Sequence, residues 1–371
     1  MQTIEIGEDL SQLDAALEAL PNRPAVFVLW PHEGEPHLSK TNLLRRRLLR
    51  LLKERERPSK LLNLRHTVRR IEYWLTGSAL ESSLVMYEQA RRHYPETYLD
   101  VLKLRLPPYV KIVLSNEFPR SHITTQLTKS NGLFFGPFRA RSSAEKFESQ
   151  FLDLFQMRRC QEDLEPSPEH PGCIYGEMGM CLRPCQQVVG AAEYGTEVAR
   201  VLEFLRTDGR SLSGAITHSR DRLSEEMKFE EAARQHKRFE KVQEVLKLRD
   251  DLARDVEHLN GVTITPSTTA DCVQLSFLRN GHWQAPQRFS YAVEEGVTIS
   301  LDRKLRESFA AAGARTLPVR ERREYLAILA RWYYSSWRDG EWLAFDSFED
   351  IPYRKLVHAV SRVGGAGRQL V

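Results

Sequence analysis

The sequence predicts an α+β chain built from several small units, and three observations carry that prediction. Short apolar runs of strand length (AVFVLW, IEYWLT, YVKIVL) alternate with amphipathic stretches as far as the FLDLFQM segment. From 192 to 257 the sequence turns strongly helical. It then returns to the strand-like runs GVTITP and CVQLSFLRNGHWQAPQRFS, followed by the helix REYLAILARWYYSSW. At 371 residues the chain has ample material for two or three cores, and its 41% hydrophobic and 28% charged content is that of a globular protein.

Taken in order, EDLSQLDAALEALPN reads as a short helix ending at Pro21. The stretch from 23 to about 105 mixes the strands AVFVLW and IEYWLT with the helices NLLRRRLLRLLKE and ALESSLVMYEQARRHY. YVKIVLSNEFPR is a strand and turn. In GLFFGPFRARSSAEKFESQFLDLFQM, Gly136-Pro137 breaks the chain ahead of a helix with Phe147, Phe151, Leu154 and Phe155 on one side. Residues 160–185 are rich in Pro and Gly and have little regular structure. The helical region divides near Thr207–Ser213 and again at Met227–Phe229, which predicts a helix and then a helical hairpin. The tail after Val363, GGAGRQLV, reads as disordered. These breaks divide the chain into units at 1–105, 106–190, 191–258 and 259–363, with a tail at 364–371.

Net charge is only +4, but between Lys40 and Arg70 twelve Lys or Arg stand against two Glu, a local +10 that leaves −6 for the remainder. Lys40, Arg45, Arg46, Arg47 and Arg50, extended by Lys60, Arg65, Arg69 and Arg70, form a candidate phosphate-binding stripe. The bland reading of the same residues is a solvated helix face. No run of eighteen apolar residues occurs and the N-terminus has no signal-peptide core, so the expectation is a cytoplasmic protein without a membrane partner.

Four of the five cysteines fall at Cys160-x12-Cys173-x7-Cys181-x3-Cys185. An odd count argues against a disulfide framework, and four thiolates in one loop suit tetrahedral zinc or an iron–sulfur cluster. Spacing does not choose between them. Cys272, in DCVQLSF, reads as a buried small hydrophobe.

The segment HPGCIYGEMGMCLRPC, with FFGPF upstream and QMRRC between, resembles the cysteine-containing region of the UvrC family of excinucleases. Phe135, Gly136, Pro137 and Phe138, Arg158 and Arg159, and Pro184 fall where that resemblance requires them. It implies an iron–sulfur cluster, of the 4Fe–4S kind, on Cys160, Cys173, Cys181 and Cys185, with zinc as the alternative. LSEEMKFEEAARQHKRFEKV resembles the family's UVR motif, a helical hairpin that associates with a UvrB-like helicase. Phe229, Glu230, Glu231, Ala232 and Ala233 match its centre, with the phenylalanine expected to pack at the turn. His236 and Lys237 depart from the usual Arg-Asp pair.

The same resemblance implies that the N-terminal unit is similar to a GIY-YIG nuclease domain, in which two short strands carry Gly-x-Tyr and Tyr-x-Gly. Phe27 and His37 take the tyrosine positions, Ala25 and Ser39 replace glycines, Lys40 and Arg47 keep the family's cations, and Met86 stands at the metal-binding glutamate. A single-metal phosphodiesterase needs a carboxylate for its hard cation, which a thioether cannot replace. Mg²⁺ or Mn²⁺ would therefore matter only if another acid, Glu81 or Glu88, stood in. The 259–345 stretch resembles the middle region of the family, and its second, RNase H-like nuclease domain and helix-hairpin-helix pair have no counterpart. The implied function is DNA repair of the nucleotide-excision type: binding DNA and a UvrB-like partner, without cutting at this site. The alternatives are a metal-dependent endonuclease with a non-standard site and an iron–sulfur redox or DNA sensor.

Overall fold

Alternation along AVFVLWP decides how the first sheet is covered. The computed structural model describes residues 1–7, 11–53, 63–129, 132–292 and 300–367. Strand β1 (Gln2–Glu5) is followed by α1 (Ser11–Glu18), β2 (Ala25–Pro31), β3 (His37–Thr41), α2 (Leu44–Leu52), β4 (Val68–Leu75) and α3 (Ala79–His93). The strands form an antiparallel sheet in the order β1-β4-β2-β3. Ala25, Phe27 and Leu29 enter a core with Leu13 and Leu17 of α1 and Leu44, Leu48 and Leu51 of α2. Val26 and Val28 enter a different core with Leu80, Leu84 and Tyr87 of α3, as the two-residue period of a strand requires. Strand β1 is not foreseen by the sequence pattern. QTIE is largely exposed and has no apolar alternation, and it is a strand because β4 offers it an unpaired edge.

After a short α4 (Tyr98–Leu102) come β5 (Tyr109–Val113), β6 (Arg120–Thr124), β7 (Gly132–Gly136) and α5 (Arg141–Leu152). Gly136 is required where it stands, since a Cβ there would lie 2.6 Å from the Tyr109 ring. The cysteine region holds one short helix, α6 (Ile174–Glu177), and a 3₁₀ turn at Pro184–Gln186. The helices α7 (Ala191–Arg206), α8 (Arg210–Glu225) and α9 (Phe229–Lys247) follow, with the breaks where the sequence places them. A two-residue strand β8 (Arg254–Asp255) then returns to β7, completing a sheet in the order β6-β5-β7-β8. Phe135, Phe147, Phe151 and Phe204 fill the core beneath it.

The third sheet contains β9 (Asn260–Pro266), β10 (Cys272–Arg279), β11 (His282–Trp283), β12 (Gln287–Ser290) and β13 (Glu341–Phe345). β9 and β13 extend it on one side of β10, and both β11 and β12 pair with β10. Helices α10 (Leu301–Ala310) and α12 (Tyr353–Gly367) share its core with Phe277 and Phe289, while α11 (Val319–Tyr333) faces the N-terminal unit. Cys272 is half-buried at the start of β10, opposite Ser290, and not in the core as expected.

Three further expectations need correction. The tail reads as disordered from 364, yet α12 continues to Gly367. The Tyr291 hydroxyl donates to the Gly364 carbonyl at 3.1 Å, and a Cβ on Gly364 would sit 2.7 Å from that ring. Gly364, which falls in the stretch read as disordered, is a close packing contact. Arg65, assigned by sequence to the phosphate stripe, is only 4% exposed and donates through both terminal nitrogens to Asp14, at 2.7 and 3.2 Å. It ties α1 to the chain beyond α2 and is withdrawn from the surface. The first unit and the third sheet are also not separate bodies: Val28, Leu84 and Tyr87 share one core with Trp283, Leu326 and Trp332.

Candidate functional site

The first sheet divides the nuclease-like positions between its two faces. Phe27 is fully buried in the core toward α1 and α2, with the ring of the exposed His37 centred 6.4 Å away. Arg47 lies half-buried on α2, the helix covering that face. Lys40 and Met86 meet on the other face, where they line a 190 Å³ cavity with Ser83, Tyr87, Ile328 and Arg331. No carboxylate lines this cavity among the described residues. Lys40 is exposed as a residue, but its ammonium lies beside Arg331 at the cavity, and desolvation followed by Arg331 lowers its pKa. Its Nζ also lies 5.8 Å from the Trp337 ring centre.

The two acids that could have replaced a metal ligand face elsewhere. Glu81 and Glu88 line a separate cavity of 240 Å³ with Thr265, Gln274 and Ser276 of the third sheet. Desolvation raises the pKa of each, so both hold their protons more tightly than free carboxyls. Glu81 is further engaged at the start of α3: its carboxylate accepts from the Gly77 N–H at 2.6 Å while its own N–H donates to Ser78 Oγ at 3.0 Å. Among the described residues no group of three or more His, Cys, Asp or Glu side chains is arranged to hold a metal ion.

Of the basic stripe, Arg45, Arg46, Arg50 and Arg69 are exposed. Arg45, Arg46 and Arg47 occupy the first turns of α2, which has no acidic residue there and no side-chain N-cap. Cations at that end oppose the helix dipole, so helix stability does not account for the block. Arg70 is diverted: its guanidinium lies 4.6 Å over the Trp30 ring and 3.2 Å from the Glu72 carboxylate. Lys60 lies outside the described residues.

In the cysteine loop, Cys181 and Cys185 are buried, Cys160 is half-buried and Cys173 is exposed. They share one locality. Burial first, and then the charges of the other cysteines, push the Cys181 thiol up to about 11, and the same two causes raise Cys185. Donors are aimed at the sulfurs: Arg158 Nη1 at Cys160 Sγ (3.3 Å) and the Arg183 N–H at Cys181 Sγ (3.4 Å). Arg158 is 1% exposed and its Nη2 is buried without a partner. An unpaired buried guanidinium nitrogen is costly, and an anionic centre on the thiolates would satisfy it. The donor set therefore has the chemistry for a thiolate-held group, although the thiols as placed are neighbours and not a closed ligand cage.

The hairpin of α8 and α9 buries Ile216, Leu223, Ala232 and Val242. Phe229, expected to pack at the turn, is 65% exposed beside Met227 at 78%, and Glu230, Glu231 and Ala233 are exposed as well. A turn with Met227 at φ +61° lifts both large side chains off the helix pair. No helix among the described residues is long and apolar enough to cross a membrane.

Comparison with known proteins places these features. Residues 108–204 match the family model described as UvrC/Cho excinuclease, middle domain. That segment holds the FFGPF strand and the cysteine loop, and it lies ahead of the 259–363 unit to which the sequence resemblance assigns the middle region. The chain is 24% identical over 290 residues to UvrABC system protein C of Lachnospira eligens, covering 76% of this chain and 47% of the relative. The corresponding protein of Moorella thermoacetica is 25% identical over 287 residues (77% and 46%), and that of Clostridium botulinum strain Hall 22% over 272 (72% and 44%). The chain thus spans about half the length of these curated relatives. No solved structure matches it.

Proposed function

The chain is a UvrC-family protein, and from that premise we propose that it is a DNA-binding component of nucleotide excision repair whose nuclease-like N-terminal unit holds DNA without cutting it. The observation that carries this reading is the cavity where Lys40 meets Met86, which has cations but no carboxylate among the described residues. In a single-metal phosphodiesterase the transition state needs a carboxylate-held metal as well as a cation, and the cation alone supports binding. Arg45, Arg46, Arg47 and Arg50 on α2 would grip backbone phosphates. Phe229, Glu230, Glu231 and Ala233 would present the hairpin tip to a UvrB-like helicase, while Ala232 is buried between the two helices and is withdrawn from that surface.

Cys160, Cys173, Cys181 and Cys185 would hold an iron–sulfur cluster, or zinc in its place, and either would order the loop and supply an anionic centre. Arg158 would then neutralise that centre from the buried side, and closing the ligand set would draw the exposed Cys173 inward. The endonuclease alternative loses ground because Glu81 and Glu88 face the third sheet and not Lys40. The test is binding of a fluorescent duplex across a salt series. Log affinity should fall linearly with log salt, and exchanging Arg45, Arg46 and Arg50 for Gln should make that slope shallower by about 0.9 for each lost phosphate contact. An affinity indifferent to salt would end the reading.

A further inference from the structure

The cations that stand out in sequence are on α2, yet the fold gathers a second set from four distant segments. Two adjoining cavities, of 790 and 190 Å³, share Lys103 and Arg331 in their walls. Lys40 stands at one end, Arg105 beside Lys103, and Arg139 and Arg141 at the entry to α5. All six side chains belong to exposed residues, and no carboxylate lines either cavity among the described residues. The neighbouring Asp250 is occupied in accepting the Arg139 backbone N–H at 2.6 Å, and Glu145 meets Arg141 in an exposed pair of little strength. Behind the cations the larger cavity is backed by Leu106, Pro108, Phe138, Ala327 and Ala330, all of them buried except the half-buried Leu106.

Like charges around one concavity repel each other, and a polyanion threaded between them removes that repulsion. The cations are strung along a trough and do not converge on one point, so a single small anion would satisfy only one or two. A single strand can follow the concavity between the cations, whereas a duplex would rest its convex backbone on the rim without entering it. We propose that this trough binds one strand of single-stranded DNA, its phosphates on the cationic rim, and delivers the backbone to Lys40 beside Met86. The proposal rests on the DNA-binding reading above but assigns the strand to a different surface from the α2 arginines.

Photocrosslinking the intact wild-type chain to an oligothymidylate bearing 5-iododeoxyuridine tests the path directly. Crosslinked peptides should map to 103–108, 138–141 or 327–335, and crosslinks confined to 44–50 would overturn the proposal. In parallel, R105Q/R139Q, with its melting temperature checked against wild type, should bind the oligothymidylate about tenfold more weakly, with a salt slope reduced by about 1.4. If R105Q/R139Q binds like wild type while R45Q/R46Q loses affinity, the trough is wrong and the DNA-binding reading stands. If wild type binds neither this oligomer nor duplex DNA, both fall.

Discussion

Two buried charges show how single residues fasten this molecule together. Glu324 of α11 is fully buried, and the hydroxyls of Tyr87 and Tyr98 donate to its carboxylate oxygens at 2.6 and 2.7 Å. Burial first, and then Glu324, hold the Tyr87 phenol far above its usual range, so this contact stays a hydroxyl donating to a carboxylate. It pins α3 to α11 one residue from Met86. Arg65 is the second case: its sequence neighbourhood suggests phosphate binding, but its environment makes it a buried partner of Asp14. Asp14→Ala would remove that carboxylate and leave the Leu52 carbonyl as an acceptor, and because the Asp14 side chain is 36% exposed, denaturant unfolding should report a loss of about 1 kcal/mol. DNA affinity per folded molecule should not change. A variant as stable as wild type would mean that Arg65 finds water on relaxation.

At the scale of elements, the cysteine loop and the helical hairpin carry the two remaining expectations. The loop is legible in the sequence because four thiols within one short stretch have few other uses. Spacing does not reveal that Arg158 is buried against Cys160, because its other partners come from Phe118, Glu162 and Tyr194. Anaerobically purified protein should contain iron or zinc by elemental analysis, and Cys181→Ser should lose most of it. Metal-free protein of unchanged fold would remove the loop from the account. The hairpin is equally legible, since its breaks at 207–213 and 227–229 are marked by turn residues. The orientation of Phe229 is not, because an apolar residue at a helix start can pack inward or project outward with the same local pattern. Its exposure supports a docking role, so Phe229→Asp should abolish capture by a UvrB-like helicase while leaving the melting temperature within a degree or two, as for other surface changes. Retained capture would place the contact elsewhere.

The whole molecule explains why some features cannot be read along the chain. The order of helices and strands follows from apolar periodicity in most places. β1 escapes because its pairing, not its composition, makes it a strand. The basic trough escapes because Lys40, Lys103, Arg139 and Arg331 come from four separate segments and meet only when α11 packs across α3. Met86, by contrast, is identifiable from the sequence, and the fold adds what surrounds it: a cavity with cations, aromatic and aliphatic walls, and the nearby acids turned to the opposite side of α3. A glutamate elsewhere on α3 could in principle supply the carboxylate that Met86 lacks, but Glu81 is engaged at the helix start and Glu88 lines the cavity on the third-sheet side. On the proposed reading, holding DNA would thereby be separated from cutting it. The most direct measurement is incubation of the purified chain with supercoiled plasmid and Mn²⁺, scoring retardation and nicking in the same samples. The expected result is retarded plasmid with no nicked circles above buffer; metal-dependent nicking that disappears in Arg47→Ala would contradict it.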